Sequence, residues 1–432
     1  MAGFMAATLP ISIWFGKFST DTLLMPAAAM GTIVMVARIW DGISDPLAGT
    51  LSDRTRSRLG RRRSWMLAAV LPMAVTLAAL WSPPAALEGL ALILWMGAFY
   101  VLWETASTML IVPYAALGNE LSDSYHERTR IFGWRHLISV AGYATALGFV
   151  YLMRTAGDRS LAEGREMATA VGLAAGALLA CLVLWAVREL PEPVTHQGRG
   201  GVSVWRALGD VFRNPHARVL LLVYAIEAFG MGSISFLAPY VLDDVLGAQG
   251  YLELVLLAWV LPQFAFTPLW MNLSRRFGKK QLWMAGMVLY AFAFGANVFI
   301  MQSNVALLFC IVLLLGVGGG IGNVVAPAIQ ADVIDWDELR TGERKEGAYT
   351  AVWNLIRKGG WGIAAGVGGL ALGWSGYDGA AEAQTDTVRW TIVVLVSLVP
   401  ASANVLGAFF MRRFGLNEAE HADVLRRIRE RG

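Results

Sequence analysis

Long apolar segments, repeated along the whole chain, most constrain what this protein can fold into. Of its 432 residues, 56% are hydrophobic and only 16% are charged. The apolar residues fall into blocks of roughly 18–25, separated by short polar loops, and about 20 apolar residues cross the hydrocarbon core of a bilayer as a helix. The pattern therefore predicts an all-α membrane protein and excludes a soluble multidomain chain, which would carry far more surface charge.

The sequence predicts about twelve membrane-spanning helices. Their predicted ranges are 2–18, 27–51, 65–82, 88–114, 131–153, 167–187, 217–240, 251–273, 282–301, 304–330, 347–373 and 389–411. The first range is short for a full crossing, which indicates either a sequence that begins late or a truncated first helix. No positively charged region precedes it, so it does not resemble a cleaved signal peptide.

Basic residues predict which loops face the cytoplasm, because short cytoplasmic loops carry an excess of Lys and Arg. The loop after the second span is rich in arginine from Arg54 to Arg63, and the loop after the eighth is basic from Arg275 to Lys280. We therefore expect a multi-pass protein of the inner cell membrane with both termini in the cytoplasm. Arginine runs also occur in nucleic-acid-binding proteins, but beside apolar spans they indicate topology, and we expect no nucleic-acid partner.

The two halves of the chain repeat one another. Arg58-Leu-Gly-Arg-Arg-Arg63 follows the second span, and Arg276-Phe-Gly-Lys-Lys280 follows the eighth. Two six-helix halves in the same orientation are typical of the major facilitator fold, in which the substrate binds near the membrane midplane. The predicted organisation is an N-terminal half (1–187), a cytoplasmic linker with an amphipathic helix (188–216), a C-terminal half (217–411) and a cytoplasmic tail (412–432).

The second span carries charged residues inside the membrane. Arg38, Asp41 and Asp45 are spaced by three and four residues, so a helix places them on one face. A charge at mid-membrane costs about 2.5–3.5 kcal/mol, so these groups must face one another or a wet cavity. Two carboxylates one turn apart cannot both ionise cheaply, which predicts a bound proton or a cation such as Na⁺ between them, with Ser44 adding a hydroxyl. A permanent ion pair with Arg38 is the structural alternative.

Other polar side chains inside the spans are candidates for substrate binding or for coupling. Arg135 and Lys358 either face the central cavity or extend to the cytoplasmic interface. Glu104 and Glu227 either bind substrate or are protonated structural acids. The full set of substrate and coupling candidates is Arg135, Lys358, Asn354, Glu104, Glu227 and Trp353.

Motifs for catalysis are absent from the sequence. The run Gly316-Val-Gly-Gly-Gly-Ile-Gly322 has no Lys-Ser/Thr after it and lies in an apolar segment, so it predicts close helix packing or a gating kink and not a phosphate loop. Cys181 and Cys310 both lie inside apolar spans, and their spacing does not match that of metal ligands. We therefore expect no enzyme, no cofactor and no metal beyond a coupling Na⁺.

Two stretches resemble a known family. The segment from Ala37 to Pro46, followed by Asp53 and Arg61-Arg-Arg63, resembles the glycoside–pentoside–hexuronide:cation symporters of the major facilitator superfamily. In the second half, Ala331-Asp-Val-Ile-Asp-Trp-Asp-Glu338 and Arg357-Lys-Gly-Gly360 agree with it. The resemblance covers nearly the whole chain and extends to the animal sodium-dependent lysolipid transporters.

The resemblance implies roles for individual residues. Cation binding would involve Asp41, Ser44, Asp45 and Thr108, and Arg135 and Lys358 would be basic residues of the cavity that couple cation to substrate. Gating residues of the cytoplasmic side would be Asp53, Arg54, Arg61, Arg62, Glu127, Arg128, Asp332, Asp335 and Arg344.

The chain also departs from the family's sugar permeases. The positions of their two sugar-binding acids are Met5 and Ile111, and the position of a fourth-span tryptophan is Ala115. The set that recognises galactosides is therefore missing, whereas the cation site is complete.

These observations predict a secondary transporter that couples Na⁺ or H⁺ to a small polar solute, a glycoside or sugar, by alternating access, as a monomer. An amphipathic substrate such as a lysolipid is an alternative that fits the lost sugar acids. A membrane sensor or partner protein that does not transport is an alternative of another class, and it would tolerate loss of Asp45. A membrane-embedded enzyme would need a larger extramembrane domain than these loops provide.

Overall fold

A computed structural model describes residues 1–120, 125–192, 209, 211–302, 305–342 and 346–431. Regular structure in these ranges is helical, with no strand among them, which confirms the all-α prediction. The helices are α1 (Ala2–Ile13), α2 (Phe15–Lys17), α3 (Ala27–Arg54), α4 (Arg61–Trp81), α5 (Gly89–Glu120), α6 (Tyr125–Gly157), α7 (Leu161–Glu189), α8 (Pro215–Tyr240), α9 (Leu252–Ala265), α10 (Thr267–Phe277), α11 (Lys279–Ala296), α12 (Val305–Thr341), α13 (Glu346–Ser375), α14 (Asp386–Met411) and α15 (Glu418–Arg431).

In this part of the chain, eight helices are long and apolar enough to cross a membrane, namely α3, α4, α5, α7, α8, α11, α12 and α14. The pair α9 and α10 forms a ninth segment, bent by 48°. Helix α1 is apolar but shorter, and α6 and α13 coincide with the predicted fifth and eleventh spans. These segments account for all of the predicted spans.

The predicted eighth span differs from the structure because it is broken. Helix α9 ends at Ala265 and α10 begins at Thr267. Pro268 has no backbone N–H to donate to the carbonyl of Phe264, and its ring disfavours helical geometry at the residue before it. The break is therefore a local consequence of the sequence. The predicted amphipathic linker helix at 202–212, in contrast, falls largely outside the described residues.

The chain divides into two compact units. Unit 1 comprises Met1–Gly201 with Tyr377–Glu382, and unit 2 comprises Val202–Gly376 with Ala383–Gly432. In unit 1, α4 packs against α5 and α7, α3 packs against α5, and α1 packs against α6 and α7. In unit 2, α11 packs against α12 and α14, the α9–α10 pair packs against α12, and α8 packs against α13 and α14. The same helix pairs recur in the same chain order, so the sequence repeat is also a repeat of packing.

Helices begin where the sequence supplies a capping side chain. Asn214 accepts hydrogen bonds from the backbone N–H groups of His216 and Ala217, and Pro215 occupies the first position of α8. Ser160 accepts from the N–H of Glu163 at the start of α7. These local bonds satisfy donors that a helix leaves unpaired at its N-terminus.

The glycine-rich run of α12 lets two backbones approach closely. A Cβ at Gly316 would lie 2.5 Å from the carbonyl oxygen of Trp259 and 3.1 Å from Cγ of Pro262, both on α9. A Cβ at Gly322, on the same helix, would meet nothing within 4 Å. Close packing of α12 against α9 therefore explains why position 316 is a glycine, since small residues are enriched where membrane helices pack.

These two glycines give a matched prediction. Gly316→Ala should destabilise the protein by roughly 1–3 kcal/mol, because the added methyl group overpacks a helix contact. Gly322→Ala should leave stability equal or raise it by up to about 1 kcal/mol, because alanine favours helix. Thermal unfolding of both purified variants measures the difference, and equal melting temperatures would contradict the packing account.

Candidate functional site

Four oxygen atoms from α3 and α5 converge inside unit 1. The Thr108 hydroxyl donates to Oδ1 of Asp41 at 2.9 Å or to Oδ1 of Asp45 at 3.1 Å. The Ser44 hydroxyl lies 3.3 Å from Oγ1 of Thr108. Asp41, Ser44 and Thr108 are only 4%, 6% and 1% exposed, respectively, and Asp45 is half-buried. We call these four residues the oxygen cluster.

Sequence spacing and helix packing together build the oxygen cluster. Ser44 and Asp45 lie three and four residues after Asp41, so each is a neighbour of Asp41 on the surface of α3. Helix α5 packs against α3 and supplies Thr108 from its own face. The Thr108 hydroxyl has one proton, whereas two carboxylates lie within hydrogen-bond distance of it. It can therefore donate to only one of them at a time. An all-oxygen, acidic set of this kind suits a hard cation or a proton.

Arg38, one turn before Asp41, is paired with a different acid. Its Nη1 lies 3.3 Å from Oε1 of Glu104 on α5. The same guanidinium also interacts electrostatically with Tyr100 and Asp41. Glu104 is 5% exposed, so this is a largely buried pair. The positive charge of Arg38 is therefore neutralised mainly by Glu104 of α5.

Unit 2 contains a cavity of ≈ 420 Å³, which lies within the usual range of about 300–1,000 Å³ for small-molecule sites. Its wall includes four tryptophans, Trp259, Trp283, Trp353 and Trp361, and two tyrosines, Tyr224 and Tyr290. Helix α12 contributes glycines of its Gly-rich run, which leave room for these rings. The cavity is thus largely lined by aromatic side chains of unit 2.

The wall of the cavity also carries several polar groups that bond to one another. Trp283 Nε1 donates to Glu227 Oε1 at 3.2 Å. Gln330 Nε2 donates to the hydroxyl of Tyr224 at 2.8 Å. Arg357 Nη2 donates to Asn354 Oδ1 at 3.1 Å. These bonds fix the orientation of the polar side chains.

Two further polar groups of the cavity are different, because they lack a partner among the described residues. Trp353 is 4% exposed and Asn404 is 2% exposed. Neither Nε1 of Trp353 nor Oδ1 of Asn404 has a hydrogen-bond partner within this part of the chain. A buried polar atom without a partner costs about 1–3 kcal/mol. Two residues that line the same cavity therefore carry one buried donor and one buried acceptor without partners in this part of the chain.

The predicted substrate residues are divided between the two units. Glu227, Trp353 and Asn354 line the cavity of unit 2, whereas Lys358 is not among its lining residues. Glu104 pairs with Arg38 in unit 1. Arg135, half-buried on α6, acts electrostatically on Tyr114 of α5.

The sequence prediction missed several cavity residues. Arg357 lines the cavity with Asn354 and Trp361, and the spacing of three and four residues along α13 could have indicated this shared face. No residue spacing could have indicated Asn404, because it lies on α14 and the other polar residues of the cavity lie on other helices. Only the packing of α14 brings it to the cavity.

Two of the predicted gating residues begin α4. The carboxylate of Glu192 accepts hydrogen bonds from the backbone N–H of Arg62 at 3.0 Å and of Arg63 at 3.0 Å. Arg61 lies 4.0 Å from Glu192, and Nη1 of Arg62 donates to Oγ of Ser52 at 2.7 Å. A carboxylate at a helix N-terminus is stabilised by the free N–H groups and the helix dipole. The basic motif that follows the second span therefore bonds to Glu192, in the chain segment that follows α7.

In unit 2 the predicted gating acids have basic partners. Lys279 Nζ lies 2.7 Å from Asp332, and Nε2 of His421 lies 2.9 Å from Asp335. Arg54, in the last turn of α3, is exposed. The side chains of Asp53, Glu127 and Arg128, and the whole of Arg344, lie outside the described residues.

A family model described as MFS/sugar transport protein matches residues 1–418. The chain belongs to this major facilitator family. It is therefore a multi-pass membrane transporter and not an enzyme, and its helical fold is that of the family.

Individual relatives support this assignment. An uncharacterized symporter of Bacillus subtilis, YnaJ, is 28% identical over 98% of this chain and 91% of its own. The sodium-dependent lysophosphatidylcholine symporter 1-A of Danio rerio is 24% identical over 93% of this chain and 81% of its own. A crystal structure of the nucleoside transporter NupG is similar with a TM-score of 0.63 at 16% identity, covering 96% of this chain and 98% of that one. The symporters among these relatives point to transport coupled to a cation.

Proposed function

We propose that this transporter belongs to the glycoside–pentoside–hexuronide:cation symporters and couples a cation to a small polar solute, a glycoside or sugar, by alternating access. The carrying observation is the oxygen cluster, in which one hydroxyl lies 2.9 and 3.1 Å from two aspartates. Such a cluster in the membrane is stabilised when a cation neutralises it. A cation that binds one access state more tightly shifts the protein toward that state, which is how coupling arises.

In this proposal the cation binds to Asp41, Ser44, Asp45 and Thr108. Four oxygen-bearing side chains favour Na⁺, because a hard cation takes several oxygen ligands, and a proton on one aspartate is the alternative coupling ion. The cytoplasmic gate would involve Arg61, Arg62, Asp332 and Asp335, and both termini would be cytoplasmic. The protein would act as a monomer in the inner cell membrane.

Thermal unfolding of purified wild type and Asp45→Asn, with and without Na⁺ at two pH values, tests the cation site. A ligand that binds the folded state at 100 times its Kd stabilises it by about 2.7 kcal/mol. We expect Na⁺ to raise the melting temperature of wild type and to leave that of Asp45→Asn unchanged, with choline chloride as the ionic-strength control. A shift with pH but not with Na⁺ would assign a proton instead. No shift with either would make the aspartates structural.

A second candidate function is transport of an amphipathic molecule such as a lysolipid. The observation in its favour is similarity to the sodium-dependent lysophosphatidylcholine symporter of Danio rerio. Met5 and Ile111 stand where sugar permeases of the family have acids, which also fits this substrate. Na⁺-dependent uptake into proteoliposomes of radiolabelled methyl glucoside, compared with lysophosphatidylcholine, separates the two candidates.

A further inference from the structure

Glu227 is a membrane carboxyl group without a basic partner. It comes from the middle of α8, is half-buried and lines the cavity of unit 2. Among the described residues its hydrogen-bond partner is Trp283 Nε1, at 3.2 Å, and no Lys, Arg or His forms an ion pair with it. This environment contrasts with that of Glu104, which Arg38 neutralises.

The groups around Glu227 come from every helix that packs beside it. Tyr224 of α8 and Tyr290 of α11 are close enough to interact with it electrostatically. Helix α14 presents Gly407, where a Cβ would lie 3.8 Å from Cγ of Glu227. Helices α12 and α13 contribute Gln330, which bonds to Tyr224, and Arg357, which bonds to Asn354. No neighbouring acid competes with Glu227 for a proton at this site in the described part of the chain.

These surroundings favour the neutral form of the side chain. One N–H donor does not offset the cost of a carboxylate beside aromatic rings within a membrane-spanning unit. A cation such as Na⁺ suits this position less well than a proton, because it requires several oxygen ligands and Trp283 presents an N–H donor to the carboxyl group. A proton needs a single oxygen. Glu227 therefore differs in chemistry from the oxygen cluster of unit 1.

We propose that the cavity of unit 2 binds a neutral, hydrogen-bonding solute, and that Glu227 takes part as a carboxylic acid that donates its O–H to that solute. The solute would also accept from Nε1 of Trp353 and donate to Oδ1 of Asn404, the two buried atoms without partners. Aromatic rings on the wall would pack against its ring faces. A quaternary ammonium group could not donate to Asn404, and a hydroxyl-bearing ring can satisfy all three groups.

This proposal rests on the transport function and specifies where and in what protonation state the solute is bound. The proton on Glu227 comes from solvent. Since the O–H exists only in the protonated carboxyl group, solute binding should be strong at low pH and weaken as Glu227 ionises with rising pH. Glutamine at this position keeps an N–H donor at every pH, so its binding should not depend on pH through this group.

Infrared spectroscopy tests the protonation state without any solute. The purified wild type should show a carboxylic-acid C=O band at neutral pH that is missing in Glu227→Gln and retained in Glu88→Gln, which removes an exposed acid. An identical band in wild type and Glu227→Gln would overturn the protonated state. Because this measurement needs no transport, it stays valid even when the Asp45→Asn experiment fails.

Quenching of tryptophan fluorescence tests the solute class, using methyl β-glucoside, myo-inositol and uridine as neutral probes. Glucuronate serves as the anionic probe and lysophosphatidylcholine as the amphipathic one. We expect a neutral probe to bind, with affinity falling roughly tenfold from mildly acidic to mildly alkaline buffer as one buried hydrogen bond is lost. In Glu227→Gln the affinity should not change with pH.

A second variant separates a direct contact from a structural effect. Trp353→Phe keeps the ring and removes the Nε1–H, so it should weaken binding of the neutral probe roughly tenfold while leaving the pH profile of wild type. Binding of glucuronate or lysophosphatidylcholine in place of every neutral probe would overturn the neutral class. Binding by none of the probes would overturn the cavity as a solute site, and a pH profile retained in Glu227→Gln would overturn the role of Glu227.

Discussion

Asp45→Cys is expected to abolish cation-driven uptake in proteoliposomes while the protein remains folded. The substitution removes one of the two carboxylates that converge on Thr108. A unit charge about 4 Å from a cation contributes about 4 kcal/mol at an effective dielectric constant of about 20. A loss of this kind corresponds to a reduction in cation affinity of roughly 100-fold or more, since tenfold is about 1.4 kcal/mol.

The control for this experiment is a carboxylate outside the cluster. Asp386 lies in the first turn of α14 with 88% of its side chain exposed, and Asp386→Asn should transport like wild type. Wild-type uptake by Asp45→Cys would exclude the oxygen cluster as the coupling site. Expression and size-exclusion profiles of both variants show that the loss of uptake is not a loss of folding.

Glu104→Gln is expected to reduce both stability and cation affinity. It leaves Arg38 without the acid that lies 3.3 Å from it. Removing one partner of a buried ion pair costs about 3–5 kcal/mol, and we expect the lower end because 21% of the Arg38 side chain is exposed. The charge of Arg38 then acts on Asp41 alone and competes with the cation, which should weaken Na⁺ binding by about tenfold or more.

The double variant Arg38→Met with Glu104→Gln provides the matched test. It removes both charges, so Na⁺ affinity should recover toward the wild-type value even where stability does not. Melting temperature and Na⁺-dependent stabilisation of the two variants measure the two effects separately. If the double variant binds Na⁺ as poorly as Glu104→Gln, the effect does not come from the released charge of Arg38.

Helical periodicity was sufficient to predict the fold class and the apolar spans. The face shared by Arg38, Asp41 and Asp45 follows from spacing alone. The break at Phe266 could also have been predicted from the sequence, because Pro268 follows it by two residues. The eighth span was predicted from its apolar pattern, which does not indicate the bend that the missing N–H donor of Pro268 causes.

Contacts between distant segments could not be predicted in the same way. Thr108 was assigned to the aspartates through family resemblance, since no spacing connects α5 to α3. The Glu192 cap on α4 joins residues about 130 positions apart, and the cavity of unit 2 needs Asn404, Trp283 and Glu227 from three helices. These arrangements depend on tertiary packing, which the periodicity of a single segment does not contain.

The oxygen cluster has a mechanical consequence, because its members belong to two different helices. A slide of α5 along α3 by one residue moves Thr108 by about 1.5 Å, toward one aspartate and away from the other, because Asp41 and Asp45 lie one turn apart. The bond that is stretched, 2.9 or 3.1 Å long, then exceeds the usual limit of about 3.2 Å. In the proposed function, affinity for the cation would thus depend on the axial register of two neighbouring helices. A small shear inside one unit would weaken cation binding without any change in the side chains themselves.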